Sequence, residues 1–414
     1  MTPAARGGWR HGEWRLRVRG ALGRFQLRGV GDRAWASACA ATGERDLVVL
    51  GVIDWESRLQ RPQLLSAAMA ARGWRMLYID PTPYAIGRAK ATVVGRRDGV
   101  WHCRLRYRGL RREDPHAMRM EGARADALSS GIASLMSRAG VRSPVVMAQH
   151  PYWAPVAQRI GARTLAYDCM DFHAAFADPY RSSFPPQEQQ LLREAHVVTA
   201  SSPGLREMIE RMRPCTLVRN ACDPSRFAAV PPPPTVGRPV VMYMGAISTW
   251  FDAPLVRAVA ASMPDVDFRL VGSTRGCDVS GMASLPNVRL HGEVPHRALP
   301  TLLADASVGI MPFQINRLTA VTDPVKGYEY LAAGRPFVTT IPFAAPGLPD
   351  ALVHVPRHTA DAWVNALRLA IVSSRDPTRV ALARTFGATQ SWAQRAAELE
   401  QALTRSEPSA LGQA

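Results

Sequence analysis

Apolar residues fall in short runs along this chain, and most runs are followed by a stretch whose apolar positions recur at helical intervals. Runs at 47–53 and 76–79 flank a helical stretch at 61–72, and runs at 145–148, 164–167, 196–199 and 216–218 alternate with helical stretches near 124–138, 188–194 and 205–212. Runs this short and continuous suit strands buried on both faces, which is how a parallel sheet covered by helices reads. One open, doubly wound domain over 44–229 accounts for them. Four prolines at 231–234, followed by Thr235, Val236 and Gly237, cannot enter the interior of a sheet or helix, so 230–238 is predicted to be a stiff linker. The alternation then restarts with runs at 240–244, 268–271, 288–290, 307–312 and 336–340, and with helices near 254–262, from His296 and from Pro324. This predicts a second parallel-sheet domain over 239–385. Helical spacing at 363–372 and 392–403 completes the pattern, and the last stretch, in a tail over 386–414, reaches far enough to pack back on the first domain.

Length and charge add to this picture. At 414 residues the chain exceeds one ordinary core, and 47% hydrophobic with 21% charged residues is the balance of a globular protein rather than a disordered or fibrous one. Its net charge of +17 implies attraction to polyanions, whether nucleic acid, anionic lipid or phosphorylated substrates. No specific nucleic acid is expected as a partner. Much of the charge is local: before position 40, Arg6, Arg10, Arg15, Arg17, Arg19, Arg24, Arg28 and Arg33 face only Glu13 and Asp32, with Trp9, Trp14, Phe25 and Trp35 interleaved. Residues 1–43 therefore read either as a disordered basic extension or as an anchor to an anionic membrane surface. No apolar run nears the roughly 18 residues of a spanning helix, and no signal-peptide pattern opens the chain. A cytoplasmic protein is expected, peripheral on the inner membrane face if the anchor reading holds. Cys39, Cys103, Cys169, Cys215, Cys222 and Cys277 lack zinc-site spacing and read as reduced thiols.

The stretch from Asp323 to Val338, DPVKGYEYLAAGRPFV, concentrates the chemistry. Asp323 suits an N-cap and Pro324 a first helical position, while Gly334 and Pro336 suit a helix stop before a buried strand. A helix that opens after a strand end lies where open α/β sheets bind ligands, and its free N–H groups suit phosphate. Lys326 and Glu329, three apart, share one face: a cation for diphosphate and a carboxylate for ribose hydroxyls, or else an ordinary surface ion pair. Gly245, after the run 240–244, and Gly272, with Ser273 after the run 268–271, let backbone approach a ligand closely or simply turn the chain.

The same stretch resembles the donor-binding signature of GT-B glycosyltransferases, especially the family 4-like (group 1) bacterial enzymes of surface-polysaccharide synthesis. Further marks are Asp54-Trp55-Glu56-Ser57-Arg58 with Arg61-Pro62-Gln63, Tyr167-Asp168-Cys169-Met170-Asp171, Asn220-Ala221-Cys222-Asp223 with Arg226-Phe227, and Tyr243-Met244-Gly245-Ala246-Ile247 with Trp250-Phe251-Asp252. They extend over most of 46–405. The resemblance implies a GT-B fold: two Rossmann-like, doubly wound parallel-sheet domains facing across a cleft, with a C-terminal helix returning to the first. It implies a hexosyltransferase-like enzyme that moves a sugar from a nucleotide-diphosphate sugar, its co-substrate, to a hydroxyl of a lipid-linked sugar or polysaccharide acceptor. Glu329 would hold the ribose, and Lys326 would help neutralise the diphosphate. Two departures stand out. Val321 occupies the place of an earlier glutamate, and the basic residues usual after the first strand of the second domain are missing from 245–250. Arg317 is the candidate substitute, while Asp323 brings a negative charge to the proposed phosphate site.

On the first domain, Asp168 and Asp171 follow a short strand at the edge expected to face the cleft. Either could act as general base for an acceptor hydroxyl, or cap the next segment. Asp171 also resembles, in placement, the base of an inverting GT-B glucuronosyltransferase group that acts on lipid-linked sugars. His150, beside Tyr152 and Trp153, could touch the transferred sugar or serve packing. Arg58 and Arg61 could bind a phosphate or an anionic acceptor, or pair with Asp54 and Glu56. Asp265-Val266-Asp267 imitates a metal-binding signature but sits at the entry to a buried strand, so turn and capping roles are expected. Transfer without metal or other cofactor follows as an expectation, with helix dipoles and basic side chains stabilising the leaving diphosphate. An NDP-sugar 2-epimerase on the same fold and a non-catalytic membrane- or polyanion-binding scaffold are the competing readings; nucleotide-sugar turnover separates the scaffold from both enzymes.

Overall fold

A computed structural model describes residues 45–84, 90–106, 121–176 and 184–405. The basic stretch 1–43, with Cys39, lies outside them. The first sheet contains β1 (Asp46–Leu50), β2 (Arg75–Tyr84), β3 (Lys90–Arg97), β4 (Val100–Arg106), β5 (Val145–Ala148), β6 (Thr164–Cys169), β7 (Val197–Ala200) and β8 (Thr216–Leu217). Its order is β3-β4-β2-β1-β5-β6-β7-β8, so the strand order reverses between β1 and β5. Helices α1 (Arg61–Ala71), α2 (Gly122–Arg138), α3 (Phe184–Glu194) and α4 (Pro203–Glu210) connect the strands.

The irregular stretch 231–234 carries the chain to a second, all-parallel sheet of order β11-β10-β9-β12-β13-β14. Its strands are β9 (Val240–Met244), β10 (Asp267–Val271), β11 (Val288–Gly292), β12 (Val308–Met311), β13 (Phe337–Thr339) and β14 (Val353–His354). The longer helices here are α5 (Ala253–Ala261), α6 (Val325–Ala332), α7 (Ala360–Ser374), α8 (Pro377–Ala388) and α9 (Trp392–Arg405). This is the two-lobed GT-B arrangement that the resemblance implies.

Both faces of each sheet are covered, which is why its strands read as continuous apolar runs. Side chains alternate sides along a strand. In β1, Val48 and Leu50 join the core under α2 and α3, whereas Leu47 and Val49 join the core under α1 and α9. In β9, Val241 and Tyr243 face α5 and α7, and Met242 and Met244 face α6 and α8. The final helix leaves the second lobe: Trp392, Ala396, Leu399 and Leu403 pack with Leu65 and Met69 of α1. Glu400 of α9 accepts from Arg45 Nη1 (2.9 Å), Arg72 Nε (2.8 Å) and Trp74 Nε1 (3.0 Å), fixing that return at its polar rim.

Two elements depart from the sequence expectation. The first sheet is not wholly parallel, because β3 and β4 form an antiparallel hairpin at its edge. Asp98 (φ 51°) and Gly99 (φ 79°) turn it, the two left-handed central residues of a tight hairpin, and Asp-Gly is the dipeptide that tolerates them. Helix α8 follows Asp376, whose carboxylate accepts from Thr378 N at 2.9 Å, with Pro377 in the first turn. Among the described residues no helix is long and apolar enough to cross a membrane. Cys103, Cys169, Cys215, Cys222 and Cys277 are free thiols.

Candidate active site

Loops from the C-terminal ends of the two sheets meet, and they define a cleft. Arg58 Nε, after β1, is 2.5 Å from Glu293 Oε1, after β11. Ser202 Oγ, after β7, donates to Val321 O at 2.5 Å, and Val321 packs against the first-lobe core. The Arg317 guanidinium, in the loop after β12, lies over the Phe172 ring at 5.1 Å, just beyond β6. In open α/β sheets this edge is where ligands sit.

Helix α6 begins at Val325, with Pro324 as its cap residue and no side-chain capping bond. Asp323 is therefore not the cap expected of it. Its buried carboxylate instead accepts from Arg219 Nη2 (3.0 Å), Asn220 N (2.9 Å) and Tyr328 Oη (2.9 Å), while Asn220 Nδ2 donates to Asp323 O (2.6 Å). Arg219 neutralises Asp323, so the expected negative charge at the phosphate site is cancelled by the crossover segment that joins the lobes.

One turn into α6, Glu329 is only 1% exposed, which corrects the picture of an open helix start. Lys326 Nζ lies 2.6 Å from its Oε2, and His296 Nε2 lies 2.8 Å from its Oε1. Burial pushes the Glu329 carboxyl up, but Lys326 and His296 more than offset this and hold it below the usual range, so it is ionised at neutral pH. The pair is therefore more than a solvated surface bridge.

Gly245 and Gly272 end β9 and β10 side by side. Gly272 has φ 152°, and a Cβ there would overlap the Gly245 carbonyl oxygen. The glycine at 272 is thus required by the close approach of the neighbouring loop. Ile247 N donates to Ser273 O at 2.8 Å and holds the two loops in register.

On the first lobe the structure separates Asp168 from Asp171. Asp168 (0% exposed) and Arg61 (2%) form a two-pronged pair, Nη2 to Oδ1 at 2.8 Å and Nε to Oδ2 at 3.2 Å. Thr199 Oγ1 donates to Asp168 Oδ1 at 2.8 Å, and Arg61 Nη1 donates to Arg219 O at 3.1 Å. Both groups are committed to each other, so neither supplies the acceptor or phosphate contact expected of it, and Arg61 does not pair with Asp54 or Glu56. Arg58 remains 47% exposed at the cleft rim, paired to Glu293.

Asp171 is half-buried just beyond the end of β6. Burial pushes its carboxyl up to about 7; Arg61 pulls it down and Asp168 pushes it up further. A carboxyl that titrates near neutrality at a cleft edge suits proton abstraction. His150 is buried: its Nδ1 accepts from Tyr152 N at 3.2 Å, and its ring packs against His173 (4.3 Å) and Phe184 (4.7 Å). It caps the turn Pro151–Trp153.

Asp265 and Asp267 pair with Arg368 and Arg238 at the entry to β10, the edge of the second sheet away from the cleft. Among the described residues no group of three His, Cys, Asp or Glu side chains is placed to hold a metal ion. Sequence reasoning missed His296, Arg219 and Glu293, because each acts on a partner far along the chain. His296 alone left a signal, as the polar residue opening a helix directly after the β11 edge.

Residues 238–373 match the family model Glycosyl transferases group 1. Over 251 residues the chain is 26% identical to the provisionally named teichuronic acid biosynthesis glycosyltransferase TuaH of Bacillus subtilis (strain 168). That match covers 55% of this chain and 63% of the relative, less than two thirds of its length. Among solved structures, sucrose-phosphate synthase from Thermosynechococcus elongatus superposes with a TM-score of 0.70 at 15% identity, over 87% of this chain and 98% of that one. Anabaena Alr3699/HepE in complex with UDP and glucose superposes with a TM-score of 0.59 at 13% identity, over 87% and 99%. These likenesses establish the GT-B fold.

Proposed function

We propose that this chain, a glycosyltransferase whose second lobe is a group 1 domain, moves a sugar from a nucleoside-diphosphate sugar onto a hydroxyl of a lipid-linked sugar or polysaccharide intermediate. The observation that carries this reading is Glu329, an ionised carboxylate held between Lys326 and His296 on a helix that opens at the cleft. Glu329 would accept from the ribose hydroxyls. Lys326 would turn from Glu329 to the donor diphosphate, and the first N–H groups of α6 would face the same charge. Arg317 supplies a further cation across the cleft, in place of the basic residues absent after β9. The relative in surface-polymer synthesis and the neighbour solved with UDP and glucose support this choice of substrates.

No step in this scheme uses a metal. A panel of UDP-, GDP- and ADP-sugars, screened by thermal stabilisation with and without EDTA, is expected to single out one donor whose binding and turnover survive the chelator. Glu329→Ala should weaken that donor roughly 10–100-fold, the worth of one or two hydrogen bonds to a charged group, and Glu329→Gln should do the same with less disturbance of the helix. Unchanged donor affinity in a folded variant removes Glu329 from the site. Loss of turnover in EDTA, restored by a divalent ion, overturns metal independence.

The basic, aromatic stretch 1–40 would hold the enzyme at an anionic membrane, where a lipid-linked acceptor resides. Deleting it from the full chain is expected to lower binding to vesicles containing anionic lipid and to flatten the salt dependence. Equal binding by the shortened chain ends that reading.

A further inference from the structure

We infer that His296 is the positioning residue for Glu329, acting as a neutral imidazole with its proton on Nε2 and clamped by Arg226. The proton assignment follows from the partners. Arg226 Nη1 lies 3.1 Å from His296 Nδ1, and a guanidinium can only donate. Nδ1 is therefore the acceptor, which leaves the ring proton on Nε2, 2.8 Å from Glu329 Oε1. Arg226 is tethered in turn, with Nε 3.5 Å from Asp223 Oδ2, and the Phe227 ring meets the imidazole edge-on at 6.1 Å.

This order of partners separates the two groups that touch Glu329. Lys326 rides on a flexible stem and is the more exposed of the two, with 24% of its side chain accessible against 15% for His296. When Lys326 turns to a diphosphate, one carboxylate oxygen loses its partner. His296 keeps the other and fixes the carboxylate plane, so that its remaining lone pairs meet two adjacent ribose hydroxyls together. An unclamped carboxylate would rotate and bind them poorly. The inference rests on the proposed role of Glu329 at the ribose, and it concerns which residue makes that role possible.

The test uses the full chain and calorimetry with UDP, GDP and ADP, taking the tightest of the three and its 2′,3′-dideoxy counterpart as the pair of probes. Wild type should prefer the ribose form. In His296→Leu that preference should fall about tenfold or more, through weaker binding of the ribose form alone; binding of the dideoxy form should not move. His296→Gln, whose amide N–H reaches the same oxygen, should recover most of the preference. If His296→Leu does not fold, Arg226→Met reads the same ratio with the imidazole present but unclamped, and a partial loss is expected. A preference unchanged in His296→Leu, or a loss that glutamine fails to relieve, overturns the inference while leaving Glu329 in place. A preference unchanged in Glu329→Gln instead removes the ribose reading itself.

Discussion

Asp171→Asn is expected to slow sugar transfer by roughly 10²–10⁴-fold, the usual contribution of a general base, while donor affinity stays at the wild-type level. Asp171 follows β6 of the first lobe whereas Glu329 lies on α6 of the second, so under the proposed function it should act on the acceptor hydroxyl and leave the nucleotide untouched. Its carboxyl is raised to about 7, chiefly by burial. The ionised form is the one that accepts a proton, so kcat/KM should fall as pH drops below about 7 and level off above it. Asparagine keeps the shape and cannot titrate, and the residual rate of the variant should lose that inflection. The anomeric configuration of the product then assigns the mechanism. An inverted product makes Asp171 the base, and a retained product confines it to holding the acceptor. Turnover near wild type in Asp171→Asn would make the residue structural.

Arg61→Met should cost stability and not affinity. It leaves Asp168 fully buried with its counter-ion gone, and breaking one side of a buried pair costs about 3–5 kcal/mol. At about 2–4 °C per kcal/mol for a domain of this size, the first lobe should melt on the order of 10 °C earlier. Replacing both partners, Arg61→Met with Asp168→Leu, should recover much of the loss, because the uncompensated charge disappears. A variant of normal melting temperature with weakened acceptor or donor binding would return Arg61 to the substrate site. This distinction matters for Asp171 too, since the Arg61–Asp168 pair is part of the field that sets its titration.

The strand runs were legible because both faces of the central strands are dry, so apolar residues follow one another without interruption. The runs failed where a charge is satisfied inside a strand. Strand β6 reads as ending at Tyr167, but it continues through Asp168 because Arg61, 107 residues away, neutralises that carboxylate. The same interruption separates Asp168, held in the sheet, from Asp171, left at the cleft. The edge hairpin escaped the apolar pattern because Arg96, Arg97 and Asp98 are exposed, although Asp98-Gly99 was a turn signal in plain view. In the candidate site, the face shared by Lys326 and Glu329 was readable, since helical spacing is local. The burial of Glu329 and the fate of Asp323 were not, because His296 and Arg219 reach them from β11 and β8, whose neighbours only the fold decides. Asp323 looked like a cap because its spacing from Pro324 was right. A guanidinium from the crossover offered it a stronger partner than the backbone of α6.

The return of α9 makes the first lobe discontinuous in the chain. Its core is closed by Trp392, Leu399 and Leu403, which are synthesised after the whole donor lobe. The two passages between lobes also touch: Cys222 N donates to Gln390 O at 3.0 Å, and Arg395 Nε donates to Asn220 O at 3.2 Å. The second lobe is thus an insertion within the first, not a module appended to its end. Exchanging donor specificity between such chains therefore takes two junctions, one in the proline stretch before β9 and one near Thr389. A fusion made at a single junction would bring a foreign α9 onto Leu65 and Met69, and would repack the first lobe along with the second-lobe site it was meant to change.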